Sequence, residues 1–255
     1  VTSAPGSLLY RLRAATDARI GLGRAGAGLP TAAMLAFQSD HALARDAVHA
    51  PMDVAALAGA LAGEPTIAVF SRADSRATYL QRPDLGRCLD AGSVERLRAT
   101  EQGHDLVIVI GDGLSARAVQ AHAPAVVVAL REQLVGWRIA PIVLARHARV
   151  ALGDEIGESL GAAMSLMLIG ERPGLSSPDS LGAYLTWGPR SGRADSERNC
   201  VSNIRPPRGL SYEFAAAKLA WLLHQARARA LTGVGLKDDF DPALVGDVQS
   251  RALEG

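Results

Sequence analysis

The spacing of apolar residues changes along the chain, and the change divides it. Met34, Phe37, His41, Ala44 and Val48 recur at steps of three and four, with Asp40, Arg45 and Asp46 on other faces and Pro30-Thr31 in front. That spacing predicts an amphipathic helix of about four turns. Residues 8–15 read as a shorter helix, and the stretch 19–30 (RIGLGRAGAGLP) as a glycine-rich connection. Beyond it the apolar residues bunch into short aliphatic runs at 66–70, 105–110, 140–144 and 165–169, bounded by polar residues or glycine. These predict buried strands. Helical patterns lie between and after them, at 93–100, 114–134 with a break near Pro124, and 154–160. Alternating strands and helices imply an α/β fold, a parallel sheet with helices on its faces. Residues 180–187 predict one more strand, and 211–231 a long closing helix before a polar tail.

Ligands of such sheets bind where the carboxyl ends of the strands meet their loops. Three segments there have distinctive sequences: GDGLS at 111–115, GERPG at 170–174, and NCVSN at 199–203 after the last strand. Composition narrows the chemistry. The chain has 255 residues, 48% hydrophobic and 21% charged, with 27 basic against 26 acidic side chains and no basic tract. Neither nucleic acid nor an anionic membrane is expected as a partner, and no apolar stretch reaches the length of a spanning helix. Residues 1–20 carry Arg11, Arg13, Asp17 and Arg19 where a signal peptide has its apolar core, so a cytoplasmic location is expected. Cys88 and Cys200 stand far apart, and Lys218 and Lys237 are the only lysines, which argues against a thiol-metal site, a P-loop and a Schiff base.

GLGRAG at 21–26 matches G-x-G-x-x-G literally. A dinucleotide site needs a long strand in front of it and an acidic residue after a second strand. Only Ala18, Arg19 and Ile20 precede it, and Asp40 lies on a helix, so a glycine-rich turn is expected. A nicotinamide-dependent oxidoreductase is the alternative that this motif leaves. Asp112 or Ser115 is expected to cap the following helix, or to meet a ligand. The six histidines make no paired metal spacing, Ser176 and Ser177 make no nucleophile elbow, and His41 on its apolar face reads as a core histidine. No catalytic or metal-ligating set emerges. Glu171, directly after an aliphatic strand and stiffened by Arg172-Pro-Gly, is expected either to accept hydrogen bonds from a ligand or to pair with Arg172 or a nearby arginine. Cys200 has no base or helix N-terminus beside it and reads as a packing residue, not a nucleophile.

Six segments in order, RIGLGRAG (19–26), YLQRPDLG (79–86), VIVIGDGLS (107–115), RVALGDEIGESL (149–160), LIGERPGL (168–175) and RNCVSNI (198–204), resemble the small subunit of ethanolamine ammonia-lyase. The resemblance spans about residues 7–236. It implies a Rossmann-like sheet that covers adenosylcobalamin against a larger barrel subunit, which binds ethanolamine and carries the radical conversion to acetaldehyde and ammonia. It also implies three cofactor contacts: Val150, Glu171 and Cys200. None of the six histidines stands in a D-x-H-x-x-G setting, so the cobalt is expected to keep the cofactor's own base. The implied organisation is a helical segment over 1–64, a Rossmann-like cobalamin-covering domain over 65–236, and a polar tail over 237–255. A longer N-terminal extension takes some family members into a bacterial microcompartment, the alternative to a plain cytoplasmic location.

Overall fold

The computed structural model describes residues 7–16, 18–61 and 63–243, so most of the expected polar tail lies outside the described residues. Two helices, α1 (Leu8–Ala14) and α2 (Thr31–His49), precede the sheet, joined by a glycine-rich connection. In that connection a turn pairs Ala25 with Gly28. No strand leads into Gly21, so the glycines form a turn as expected and lack the strand-turn-helix setting of a dinucleotide site. A short helix, α3 (Val54–Ala60), completes the leading segment.

The sheet strands are β1 (Thr66–Phe70), β2 (Leu106–Gly111), β3 (Ile142–Arg146), β4 (Met164–Gly170), β5 (Leu181–Trp187) and β6 (Asn199–Ile204). Their spatial order is β1-β3-β2-β4-β5-β6. The first four pair parallel, with helices α4 (Arg76–Gln81), α5 (Ala91–Arg98), α6 (Ala116–Arg131) and α7 (Leu152–Ser159) in the crossovers. The expected parallel sheet needs correcting at its end, because β5 runs antiparallel to β4 and β6 antiparallel to β5. No helix lies between β4 and β5, and so short a return closes an antiparallel pair. NCVSN is corrected too, since it lies within the edge strand β6.

Side chains alternate through the sheet. Leu106, Ile108 and Ile110 of β2 join a core with residues of α6 and the closing helix α8 (Tyr212–Arg229). Val107 and Val109 join a second core with Leu97 of α5 and Leu152 and Ile156 of α7. Helices therefore cover both faces. Helix α6 runs unbroken through Pro124. The carbonyl that loses its partner there belongs to Gln120, an exposed residue, so the missing N–H is not lost inside the core. Helix α2 departs from expectation in packing. Ala47 is its one buried residue, while Met34, Leu35, Phe37 and Leu43 are exposed, and His41 is exposed and stacked on Phe37 instead of buried in a core.

Candidate functional site

The loops at the carboxyl edge are tied to one another by buried polar contacts. The Leu114 N–H donates to the Gly170 carbonyl, 2.9 Å away, joining the exits of β2 and β4. This approach needs glycine on both sides. A Cβ on Gly113 would stand 2.2 Å from the Gly170 carbonyl oxygen, and one on Gly170 would stand 2.0 Å from that of Ser115. Gly113 also holds φ +55°, a left-handed conformation that costs glycine little.

Ser115 caps α6, accepting from the Ala118 N–H, and donates its own hydroxyl to the Pro178 carbonyl. Asp112 does something the sequence reading did not anticipate. Its two carboxylate oxygens each accept a backbone N–H at 2.9 Å, one from His147 and one from Ala148, so the β2 exit holds the β3 exit. Arg76 reaches the same carboxylate at 3.4 Å and donates to the carbonyls of Gly113 and Val48. Burial pushes the Asp112 carboxyl above its ordinary value, against the opposing pull of the two amides and Arg76. His147 itself takes φ +54°, and the turn it makes sets Arg149 and Val150 at the mouth of the sheet.

Glu171 is held as an acceptor. The hydroxyls of Ser180 and Ser202 donate to it, as does the Asn203 N–H at 3.3 Å. These contacts join β4 to the end of β6 and take the place of the Arg172 pairing kept open from the sequence. Gly182 makes room for the carboxylate, because a Cβ there would lie 2.9 Å from Oε1.

Cys200 lies within β6, opposite Tyr184 of β5 and short of the carboxyl edge where its segment was expected. Cys200 keeps one side exposed, but the packing around its thiol pushes it above its usual range, and burial pushes the Tyr184 phenol above its own. A thiol so placed stays protonated at neutral pH, which agrees with packing and not nucleophilic chemistry.

Two cavities meet here. One, of about 310 Å³, is lined by Arg87, Arg149, Val150, Ala151, Tyr184, Asp195, Arg198 and Cys200. The other, of about 410 Å³, includes Tyr79, Leu114, Ile169 and Glu171 and shares Arg149, Val150 and Tyr184 with the first. Val150 and Tyr184 also pack against the second core, so these shared walls are anchored from behind. The space is open because α5 and α7 pack over β1, β2 and β4, short of the β5–β6 edge. Val150, Glu171 and Cys200, far apart in sequence, thus line two adjoining cavities: Val150 both, Glu171 the larger and Cys200 the smaller.

Sequence reasoning missed four contributors: Arg149, Tyr184, Gly182 and the Asp154–Arg198 pair. Arg198 lines the smaller cavity with its side chain 2% exposed and contacts Asp154 of α7, equally buried. It also donates to the Ala194 carbonyl at 2.6 Å and lies 3.6 Å from Asp195, holding the β5–β6 connection in place. Burial pushes the Asp154 carboxyl up to about 6, although Arg198 pulls it down. Arg149 stood beside Val150 in a distinctive segment, which was a usable signal. The ion pair was not legible, because Asp154 and Arg198 are separated by β4 and β5 in the chain.

Among the described residues no cluster of three or more His, Cys, Asp or Glu is placed to hold a metal ion, and no helix is long and apolar enough to cross a membrane. Comparison with known proteins gives one consistent match. The family model described as "Ethanolamine ammonia-lyase light chain (EutC)" matches residues 7–237. A relative from Rhodopseudomonas palustris is 59% identical over 236 residues, covering 91% of this chain and 90% of that protein. One from Azotobacter vinelandii is 56% identical over 241 residues, covering 91% and 89%. One from Xanthomonas campestris pv. campestris is 51% identical over 260 residues, covering 98% and 95%. Each of the three is named "Ethanolamine ammonia-lyase small subunit".

Proposed function

The chain belongs to the ethanolamine ammonia-lyase small-subunit family, and from that premise we propose that it covers adenosylcobalamin against a large subunit that binds ethanolamine. The observation that carries this reading is the convergence of Val150, Glu171 and Cys200 on two cavities that share a wall. The residues fit such a ligand. A corrin presents a broad apolar edge set with amide side chains. Val150, Ala151, Ile169 and Tyr184 offer the apolar wall, Glu171 an acceptor and Arg149 donors. When bound, adenosylcobalamin supplies the organic radical that starts the conversion of ethanolamine to acetaldehyde and ammonia. This chain's own part is to bind, orient and exclude water. Val150 and Cys200 press apolar surface on the ligand, Glu171 takes hydrogen bonds from its amides, and the tied loops keep all three in register.

Open cavities and exposed apolar side chains on α1 and α2, including Leu8, Leu35 and Phe37, also suit a chain that works covered by a partner. The test is co-expression with a large subunit. The assembled pair is expected to retain cobalamin and release ammonia from ethanolamine, and the purified single chain to release none. Turnover by the single chain overturns the division of labour. Val150→Trp fills the wall shared by the two cavities, and is expected to assemble and lose cobalamin. Full retention in that variant overturns the placement.

A further inference from the structure

The cavity holds more positive charge than its own carboxylates answer. Arg198 is engaged by Asp154 and Asp195. Arg87 and Arg149 line the same space, and neither is in an ion pair among the described residues. Arg149 is also built into position. Its N–H donates to the Gly86 carbonyl at 2.8 Å, and its guanidinium lies 4.2 Å from the centre of the buried Tyr79 ring. One terminal nitrogen donates to the Tyr79 carbonyl at 3.3 Å. Its stem runs so close to Gly86 that a Cβ there would meet it at 3.0 Å. With the group fixed this way, its Nε is buried and has no hydrogen-bond partner. A buried guanidinium donor left unmatched is costly. An anion with several oxygens answers the charge that no carboxylate in the cavity meets.

We propose that Arg149, assisted by Arg87, is the anion-holding element of this cavity and takes the phosphodiester of the cobalamin nucleotide loop. The assignment rests on the reading that cobalamin is the ligand, since the nucleotide-loop phosphodiester is that molecule's anionic group. Val150 then supplies apolar contact and Arg149, the next residue back, the charge. One loop turn, set by His147 and Asp112, places both.

The test uses the complex with the large subunit and two corrinoids, cyanocobalamin and dicyanocobinamide, the second lacking the nucleotide loop and its phosphodiester. Binding is followed by the corrin absorbance, without turnover. Arg149→Met keeps an apolar stem over Tyr79 and removes the charge. It is expected to weaken cyanocobalamin binding by about tenfold or more, in line with the loss of a charge-assisted contact, and to leave cobinamide binding unchanged. Arg149→Lys keeps the charge and gives up the fork, so it is expected to fall between. Because each variant is compared with itself on two ligands, a general loosening of the fold cancels. Equal losses for both corrinoids, or none for either, overturn the assignment and leave the cobalamin reading standing. A wild-type complex that binds cobalamin no better than cobinamide does the same. A wild-type complex that binds neither overturns the cobalamin reading, and this assignment with it.

Discussion

Asp112→Asn tests whether one buried carboxylate holds the loop at the exit of β3. Both oxygens of Asp112 accept backbone N–H groups, from His147 and from Ala148, each at 2.9 Å. An asparagine has one carbonyl oxygen, so in either orientation its NH2 faces one of the two amides, donor against donor. That amide is then buried without an acceptor, which costs about 1–3 kcal/mol. Arg76 loses its carboxylate at 3.4 Å but keeps the carbonyls of Val48 and Gly113. Against this, a neutral amide is easier to bury than a charge, and burial already pushes the Asp112 carboxyl up. The net loss expected is about 2 kcal/mol, which at a urea slope of 2–3 kcal/mol per molar lowers the midpoint by roughly 1 M.

The loss has a place as well as a size. Hydrogen exchange is expected to rise in the peptide carrying His147, Ala148 and Arg149 and to stay near wild type in β1. A variant with the wild-type midpoint and wild-type protection at those amides refutes the reasoning. A uniform rise across all strands refutes it too, by assigning the effect to global stability and not to the loop.

The Asp154 carboxyl, raised from 3.8 to about 6 by burial, gives a pH dependence with a definite sign. The folded state takes up a proton that the unfolded state does not between about pH 6 and 4, so this group makes the fold more stable as pH falls through that window, by at most about 3 kcal/mol. Urea midpoints of wild type minus Asp154→Asn, measured at pH 7.5 and pH 4.5, should move in that direction, and a difference that stays constant with pH contradicts it. Gly182→Ala sets a Cβ 2.9 Å from Glu171 Oε1, the far end of a flexible side chain; it is expected to cost little in melting temperature and to reduce cobalamin retention in the complex, so unaltered retention counts against Glu171 as a ligand contact. Cys200→Ser is expected to loosen retention modestly with turnover preserved, and Cys200→Trp to block binding by filling the 310 Å³ cavity; a serine variant that binds fully and is inactive makes the thiol chemically required.

What the sequence conveyed follows from what is periodic or local. Strands β2 to β4 are nearly continuous apolar runs because both of their faces are buried, β1 is a shorter and half-buried run at the edge, and such runs stand out without any knowledge of pairing. Strand β6 is half exposed, with Cys200, Ser202 and Asn203 open to the surface, and its polar residues made it look like a loop. The direction of β5 was not a property of β5 at all. It depended on the absence of a helix between 170 and 181. Helix α2 misled in the opposite way. Its apolar stripe is real, but periodicity reports a face that is to be covered and cannot report by what, so the stripe that predicted a core stands exposed in the single chain.

The site divides along the same line. Glu171 was found because a carboxylate at the exit of a buried strand is unusual within a window of a few residues, whereas its partners Ser180 and Ser202 belong to two other segments. Asp112 looked like a cap for the same reason, since the nearest backbone amides in sequence are those of its own helix. The amides it binds are about 35 residues away. Carboxylates placed at the ends of parallel strands are brought within reach of every neighbouring exit loop, and the strand order β1-β3-β2-β4 makes the β3 exit the neighbour of β2. Strand order is therefore the information needed to tell a helix cap from a loop clamp. It also explains why Arg149, whose stacking partner lies 70 positions earlier, gains its anion-binding character only in the folded chain.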